Sequence, residues 1–252
     1  MQTEPLSKHQ FETATNCRRR HAGFALIELV VVVLTLLLLI LAVAPALSHS
    51  RGPSQRMVCL NNLRQLMQAT GMYALDNRDF LPYPNWGNST VGWLYRPVTG
   101  QPPSSSDPAS GGGLLWPFVK KTSAYRCPLD TPADPYWVQR ANKLSTYVMN
   151  GAVCGYGMLI QTSHRLNQFK PEAYCLWEPD EDLGSPPIGA FAYNDASSFP
   201  DRSEGPGRRH AGGTAIGTFG GNAAFPSIGF FTGQQTGGPN LVWCNPGSSN
   251  GH

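Results

Sequence analysis

The 252-residue sequence lacks the short motifs that identify many enzyme sites. It has no H-E-x-x-H, no G-x-x-x-x-G-K-[ST], and no G-x-G-x-x-G after a predicted strand. Its six cysteines include no C-x-x-C pair, which argues against a zinc ribbon or a thioredoxin-like site. These absences predict a protein that is not an enzyme.

Charged residues are also scarce, at 14% of the chain, and the net charge is only +3. Arg18, Arg19 and Arg20 form a basic cluster next to an apolar run. Positive charge beside such a run holds that flank on the cytoplasmic side of a membrane. The cluster therefore indicates membrane orientation, and no nucleic-acid partner is expected.

The apolar run covers residues 24–47 and contains one ionisable residue, Glu28, and one proline, Pro45. As a helix it would extend about 36 Å, enough to cross a hydrocarbon core of about 30 Å. An uncleaved signal anchor or an ordinary secretory signal peptide would also contain an apolar run. Neither alternative explains a carboxylate inside the run, which costs about 2.5–3.5 kcal/mol near a bilayer centre. Cleavage after Gly23 would place the new α-amino group of Phe24 one helical turn from Glu28.

Residues 23–32, G-F-A-L-I-E-L-V-V-V, resemble the prepilin signature of type IV pilins and type II secretion pseudopilins. The resemblance implies that a prepilin peptidase cuts after Gly23, methylates Phe24, and leaves the apolar segment in place. It implies an assembly role for Glu28, and Pro45 stands where many pilins have a helix-loosening proline. The implied partners are the prepilin peptidase, other pilin-like subunits and their assembly platform. The implied location is the inner membrane, with a periplasmic C-terminal domain.

Three further segments resemble a group of paralogous bacterial prepilin-like proteins: C-x-N-N-L from residue 59, R-C-P-L-D at 126–130 and S-T-Y-V-M-N-G at 145–151. The resemblance and an oxidising compartment together imply a disulfide between Cys59 and Cys127. Members of that group often end in a hairpin with a histidine followed after nine residues by Asp-Gly. Here His210 is followed by Gly220-Gly221, and a hydrogen-bonded role for His210 is favoured over metal binding.

No metal centre is predicted, and cofactors are expected to be absent. Asp180, Glu181 and Asp182 could bind Ca²⁺, but three adjacent acids on a loop are more often simply solvated.

The expected fold class is α+β. A long N-terminal helix, transmembrane in its first half, would pack on a small antiparallel sheet, and the C-terminal region would be rich in loops. The expected divisions are a cleaved basic leader (1–23), the transmembrane and assembly helix (24–47), the periplasmic half of that helix (48–80) and a globular β domain (81–252). Candidate strands lie at 124–127, 146–149, 173–177, 214–219, 223–225 and 229–231.

Two functions fit these patterns. One is a structural pseudopilin that assembles through its N-terminal helix into a pilus or a type II secretion pseudopilus. The alternative is a membrane-anchored periplasmic binding domain that has a prepilin-type signal but does not polymerise. Its ligand face would use aromatic residues between Trp86 and Trp137, whose competing role is core packing.

The prepilin signature predicts that the mature chain begins at N-methylated Phe24 when the protein is produced together with a prepilin peptidase. Replacing Gly23 by a bulky residue should leave the precursor uncut, because the peptidase site would no longer be free of a side chain. Mass spectrometry of the N-terminal peptide measures both outcomes. A mature terminus near Ser48 would instead indicate ordinary signal-peptidase cleavage.

Overall fold

A computed structural model describes residues 26–133, 136–180, 193–201 and 204–252, and it describes no side chains at 42–51 and 53. The chain divides into two compact units, Met1–Leu47 and Ser48–His252. The described helices are α1 (Leu26–Asp76), α2 (Pro108–Gly111), α3 (Trp116–Val119) and α4 (Ile228–Gln234). Short 3₁₀ helices lie at Trp86–Asn88, Thr122–Tyr125, Trp137–Gln139, Gly151–Cys154 and Leu166–Gln168.

The long helix α1 is continuous through Gly52 and Pro53, a point that the sequence left open. From Cys59 onward it buries one face, whose members recur at three- and four-residue steps. These buried residues are Cys59, Leu60, Leu63, Leu66, Met67 and Thr70. At its C-terminus the Asn77 side chain donates to the Tyr73 carbonyl at 2.7 Å, which satisfies a carbonyl of the last turn.

Across the described residues, no helix combines the length and the apolar character needed to cross a membrane. The predicted transmembrane first half is therefore wrong, and so is the single-pass inner-membrane location inferred from it.

The sheet has five short strands in the order β3-β1-β2-β4-β5. They are β1 (Val148–Asn150), β2 (Tyr174–Trp177), β3 (Ser197–Ser198), β4 (Ile216–Thr218) and β5 (Ala223–Ala224). β1 pairs antiparallel with β2, β2 with β4, and β4 with β5, whereas β1 and β3 are parallel. The sheet is thus mixed, and the prediction of an antiparallel sheet is wrong. β3 is two serines that join β1 only after a long connection, so no local pattern marks it.

Two predicted strands are helical instead. Residues 124–127 overlap the 3₁₀ helix Thr122–Tyr125, and residues 229–231 lie within α4. The start of α4 depends on Ser227, whose hydroxyl accepts a hydrogen bond from the Phe230 N–H at 3.2 Å. This N-cap satisfies a backbone donor of the first turn and outweighs the β preference of the two phenylalanines.

Strands β1 to β4 are buried, and because successive side chains along a strand point to opposite sides, they contribute to two separate cores. Met149 and Leu176 face the core that contains α1, whereas Val148 and Trp177 face a second core with Phe231 of α4. On the α1 side, a Cβ added to Gly217 would lie 2.6 Å from Met67 Cγ. The glycine therefore allows the helix to pack closely on β4.

A buried ion pair connects the loops on one side of this core. The guanidinium of Arg140 donates to both carboxylate oxygens of Asp130, at 2.9 and 2.7 Å, and both side chains are 1% exposed. The Thr146 hydroxyl donates to the same carboxylate at 2.6 Å. Burial raises the pKa of Asp130, but these partners, with Arg209 nearby, outweigh it and lower that pKa overall.

Asp130→Asn should lower the free energy of unfolding by about 3 kcal/mol or more, because it leaves the buried Arg140 charge without its counter-ion. Urea denaturation of the full chain measures the change. The matched control is Asp76→Asn, the same substitution at an exposed carboxylate on α1, which should have little effect. Equal stability of the two variants would contradict the assigned role of the ion pair.

Candidate metal centre

Four buried side chains meet inside the second unit: Cys59, Cys127, Glu178 and His210. One potential ligand atom of each lies within 4.8 Å of the others. His210 Nε2 is 3.2 Å from Cys59 Sγ and 3.4 Å from Cys127 Sγ. It is also 3.6 Å from Glu178 Oε1. We refer to these four residues as the Cys-His-Glu cluster.

Each member comes from a different part of the fold. Cys59 lies on the buried face of α1, and Cys127 lies just after the 3₁₀ helix Thr122–Tyr125. Glu178 directly follows β2, and His210 lies in the loop before β4. The cluster therefore exists only when the helix, the sheet and two loops have assembled.

Asn62, one turn after Cys59, holds the Cys127 segment against α1. Its side-chain amide donates to the carbonyls of Ser123 at 3.0 Å and Arg126 at 2.8 Å. The Cys127 N–H in turn donates to the Thr146 hydroxyl at 3.1 Å. The three segments that resemble prepilin-like paralogues thus contact one another at the cluster.

Close backbone packing positions Glu178 and its neighbours. The Gly207 N–H donates to the Glu178 carbonyl at 2.6 Å. A Cβ at Gly207 would lie 2.8 Å from the Pro179 carbonyl oxygen, so a larger residue would push these segments apart. The imidazole of His210 is positioned by Phe225, whose ring packs edge-on against it with 6.1 Å between centroids.

The Glu178 carboxylate is the unusual element of the cluster. The side chain is fully buried, and neither oxygen has a hydrogen-bond partner among the described residues. Burying a carboxylate without compensation is costly, because water no longer solvates the charge. A positive charge beside Glu178 would therefore stabilise the buried carboxylate.

The pKa shifts follow from these contacts. The interaction with Cys127 raises the pKa of the Cys59 thiol far above its usual value, and burial adds to that rise. The same interaction lowers the pKa of Cys127. Burial would lower the pKa of His210, but Cys127 and Glu178 outweigh it and raise that pKa to about 9. Both shifts act in the direction of a Cys127 thiolate beside a protonated His210.

The geometry does not match a cysteine–histidine catalytic triad. In a triad the nucleophile and the orienting carboxylate use opposite nitrogens of the imidazole. Here both thiols and the carboxylate face the same nitrogen, Nε2 of His210. All four side chains are also buried, so a substrate could not reach them without rearrangement. The arrangement is suited to holding a cation or to joining two thiols.

The predicted disulfide partners, Cys59 and Cys127, do lie together, but in this structure both are free thiols. Cys154, Cys175 and Cys244 are also free. The disulfide thus stays a prediction, and its two sulfur atoms share their site with Glu178 and His210.

Other predicted site residues are distributed elsewhere. Gly23 and Phe24 lie outside the described residues, as do Glu181 and Asp182 of the weak Ca²⁺ hypothesis. Asp180 is buried and pairs with Arg208 Nε at 3.1 Å.

The assembly residues lie on α1, in the first unit. Glu28 is exposed in the first turn of the helix, and Pro45 lies within the helix at a position whose side chain is not described.

The sequence patterns pair Cys59 with Cys127 but do not predict the complete Cys-His-Glu cluster. Glu178 was not singled out, and His210 was read as a hydrogen-bonded hairpin residue. The one local signal is that Glu178 directly follows the apolar strand Tyr174–Trp177. No spacing motif could have found the cluster, because His210 and Cys59 are 151 positions apart.

No family model, no curated protein and no solved structure matches this chain. The cluster and the long helix are therefore interpreted from their own chemistry.

Asn62→Ala should lower the free energy of unfolding by about 2 kcal/mol, because the carbonyls of Ser123 and Arg126 lose their donor. Urea denaturation of the full chain measures this change. Asn61→Ala is the matched control, since Asn61 is the exposed neighbour on the same helix. Equal effects of the two substitutions would show that Asn62 does not hold the Cys127 segment.

Proposed function

We propose that the protein is a prepilin-like structural subunit that assembles into a pilus or a pseudopilus through the N-terminal part of α1. The observation that carries this proposal is the surface of residues 26–41. Every side chain in this stretch is exposed, and all are leucine, isoleucine or valine except Glu28 and Thr35. The Thr35 hydroxyl donates to the Val32 carbonyl within the helix at 2.9 Å, so it adds little polarity.

The apolar residues cover every side of this part of the helix. An amphipathic helix has an apolar stripe with polar residues opposite, and it can be covered by one neighbour. Residues 30–33 and 36–39 are each four consecutive apolar side chains, which occupy a full turn. A helix of this kind needs neighbours on all sides, as in a bundle formed by several subunits.

Glu28 is the one carboxylate on this surface. We assign it an ion pair with the α-amino group of Phe24 on a neighbouring subunit, after a prepilin peptidase has cut behind Gly23. In the low dielectric of an apolar bundle, attraction between these charges would offset their desolvation and set the axial position of an incoming subunit. The resemblance of residues 23–32 to the prepilin signature supports this assignment.

Burial of Trp93, Tyr95 and Trp137 favours the structural role over the binding-domain alternative, whereas Trp86, Trp116 and Tyr136 are partly exposed. Trp93 and Tyr95 are 0% exposed, and Trp137 is 8% exposed. Trp93 stacks on Tyr125 with 6.3 Å between ring centroids. These rings fill the core and are not available as a ligand-binding face.

Glu28→Gln should reduce incorporation into filaments at least tenfold, because the amide cannot form the proposed ion pair. The assay is shearing and sedimentation from cells that also produce a prepilin peptidase and the assembly proteins. Glu172→Gln, at an exposed carboxylate of the second unit, is the matched control and should assemble normally. Normal assembly of Glu28→Gln would remove the carboxylate from the mechanism. Failure of the wild-type chain to enter any polymer would overturn the proposed function.

A further inference from the structure

We propose that Cys59, Cys127, Glu178 and His210 bind one Zn²⁺ ion as a structural site that connects α1 to the sheet and its loops. This inference concerns the second unit alone and does not depend on polymerisation.

The spacing of the donor atoms fits a tetrahedral ion. Zinc bonds of about 2.3 Å to sulfur and about 2.0–2.1 Å to nitrogen or oxygen place tetrahedral donors roughly 3.3–3.8 Å apart. From His210 Nε2 the distances to the two sulfurs and to Glu178 Oε1 are 3.2, 3.4 and 3.6 Å. All four donors fall within 4.8 Å of one another. Small side-chain movements would complete the geometry.

The chemical types of the four donor atoms favour zinc over other divalent cations. Two cysteine sulfurs and an imidazole favour zinc over Mg²⁺ or Ca²⁺, which prefer oxygen ligands. Four protein ligands would fill a tetrahedral site, and a filled site without a bound water is the mark of structural zinc. On binding, the cysteines lose their protons and act as thiolates, while His210 binds as the neutral imidazole.

The missing hydrogen bonds of the Glu178 carboxylate are the second observation. Both of its oxygens are buried without a hydrogen-bond partner in the described part of the chain. Cys127 and this carboxylate both face the single N–H on His210 Nε2, and one proton cannot fully satisfy two acceptors. A divalent cation at the centre contacts all of them at once.

Tyr147 supplies a matching feature in the surroundings. Its hydroxyl acts to lower the pKa of Cys59. The hydroxyl is buried and has no hydrogen-bond partner of ordinary geometry among the residues described. A metal-bound Cys59 thiolate would accept a hydrogen bond from that hydroxyl, as residues around metal sites commonly support the ligands.

A disulfide between Cys59 and Cys127 accounts for less of the structure. It would join two of the four side chains but would leave the buried Glu178 carboxylate with His210 as its cationic neighbour. It would also give the Tyr147 hydroxyl a weaker acceptor, because a disulfide sulfur is uncharged. Zinc satisfies all of these groups together.

A route to the site exists beside His210. A cavity of about 150 Å³ is lined by Gly52, Arg56, Leu129, Arg209, His210 and Ala211. It adjoins the imidazole, so an ion could reach the cluster through a local opening of the loop that contains His210.

The test uses the full chain purified under reducing conditions, with metal content measured by inductively coupled plasma mass spectrometry. We expect one zinc per chain, and Co²⁺ substitution should give thiolate-to-cobalt charge-transfer bands with the d–d bands of a tetrahedral site. Removal of the metal by a chelator should lower the melting temperature. Cys127→Ser should lose stoichiometric binding, and Glu178→Gln should weaken it at least about tenfold.

Cys154→Ser is the matched control, because Cys154 is a buried thiol that donates to the Gly151 carbonyl at 3.4 Å and a serine hydroxyl can do the same. It should retain one metal per chain. Cobalt spectra of the wild-type protein decide the question even if Cys127→Ser does not fold. The proposal is overturned if reduced wild-type protein binds no stoichiometric Zn²⁺ or Co²⁺, or if the cobalt spectrum lacks thiolate bands. It is equally overturned if Cys154→Ser loses the metal.

Discussion

Burial of the Glu178 carboxylate is the constraint on which the second unit depends. An ionised carboxylate removed from water without a partner is among the costliest groups that a protein can bury. The fold offsets this cost by placing His210 and two cysteines next to the carboxylate. Because these groups come from α1, the end of β2 and two loops, their mutual placement adds to the apolar contacts and backbone hydrogen bonds that already join these elements.

The long helix α1 takes part in two kinds of packing. From Cys59 onward, one face is buried against the sheet, and the close approach at Gly217 shows how tightly the two fit. Over residues 26–41 the helix is apolar on every side and exposed. The first kind of packing is satisfied within the chain, whereas the second requires other molecules. One helix thus combines a folding element with the surface that we assign to assembly.

The polar residues near Cys59, Cys127 and Thr146 have definite structural roles. Asn62 fixes the backbone just before Cys127, and Thr146 contacts both the Cys127 N–H and the Asp130 carboxylate. Asp130 in turn neutralises Arg140. These contacts form one network of buried polar groups. A buried polar network is stabilising only when every member has its partner. The segments that contain these residues must therefore pack together for the partners to meet.

Local patterns in the sequence determined part of this fold. The predicted helix over 48–80 contains the second part of α1, and the predicted strands at 214–219 and 223–225 contain β4 and β5, because these signals act over a few neighbouring residues. The parallel pairing of β3 with β1 has no such signal, since two serines carry no strand pattern.

Tertiary structure alone decided the Cys-His-Glu cluster. Its members are scattered over 151 positions, and each has an ordinary local environment in the sequence. Cys59 looks like one apolar residue of a helix, Glu178 like the end of a strand, and His210 like a loop residue. Their chemistry arises only when folding removes water from all of them together, because desolvation and mutual contact are properties of the assembled core.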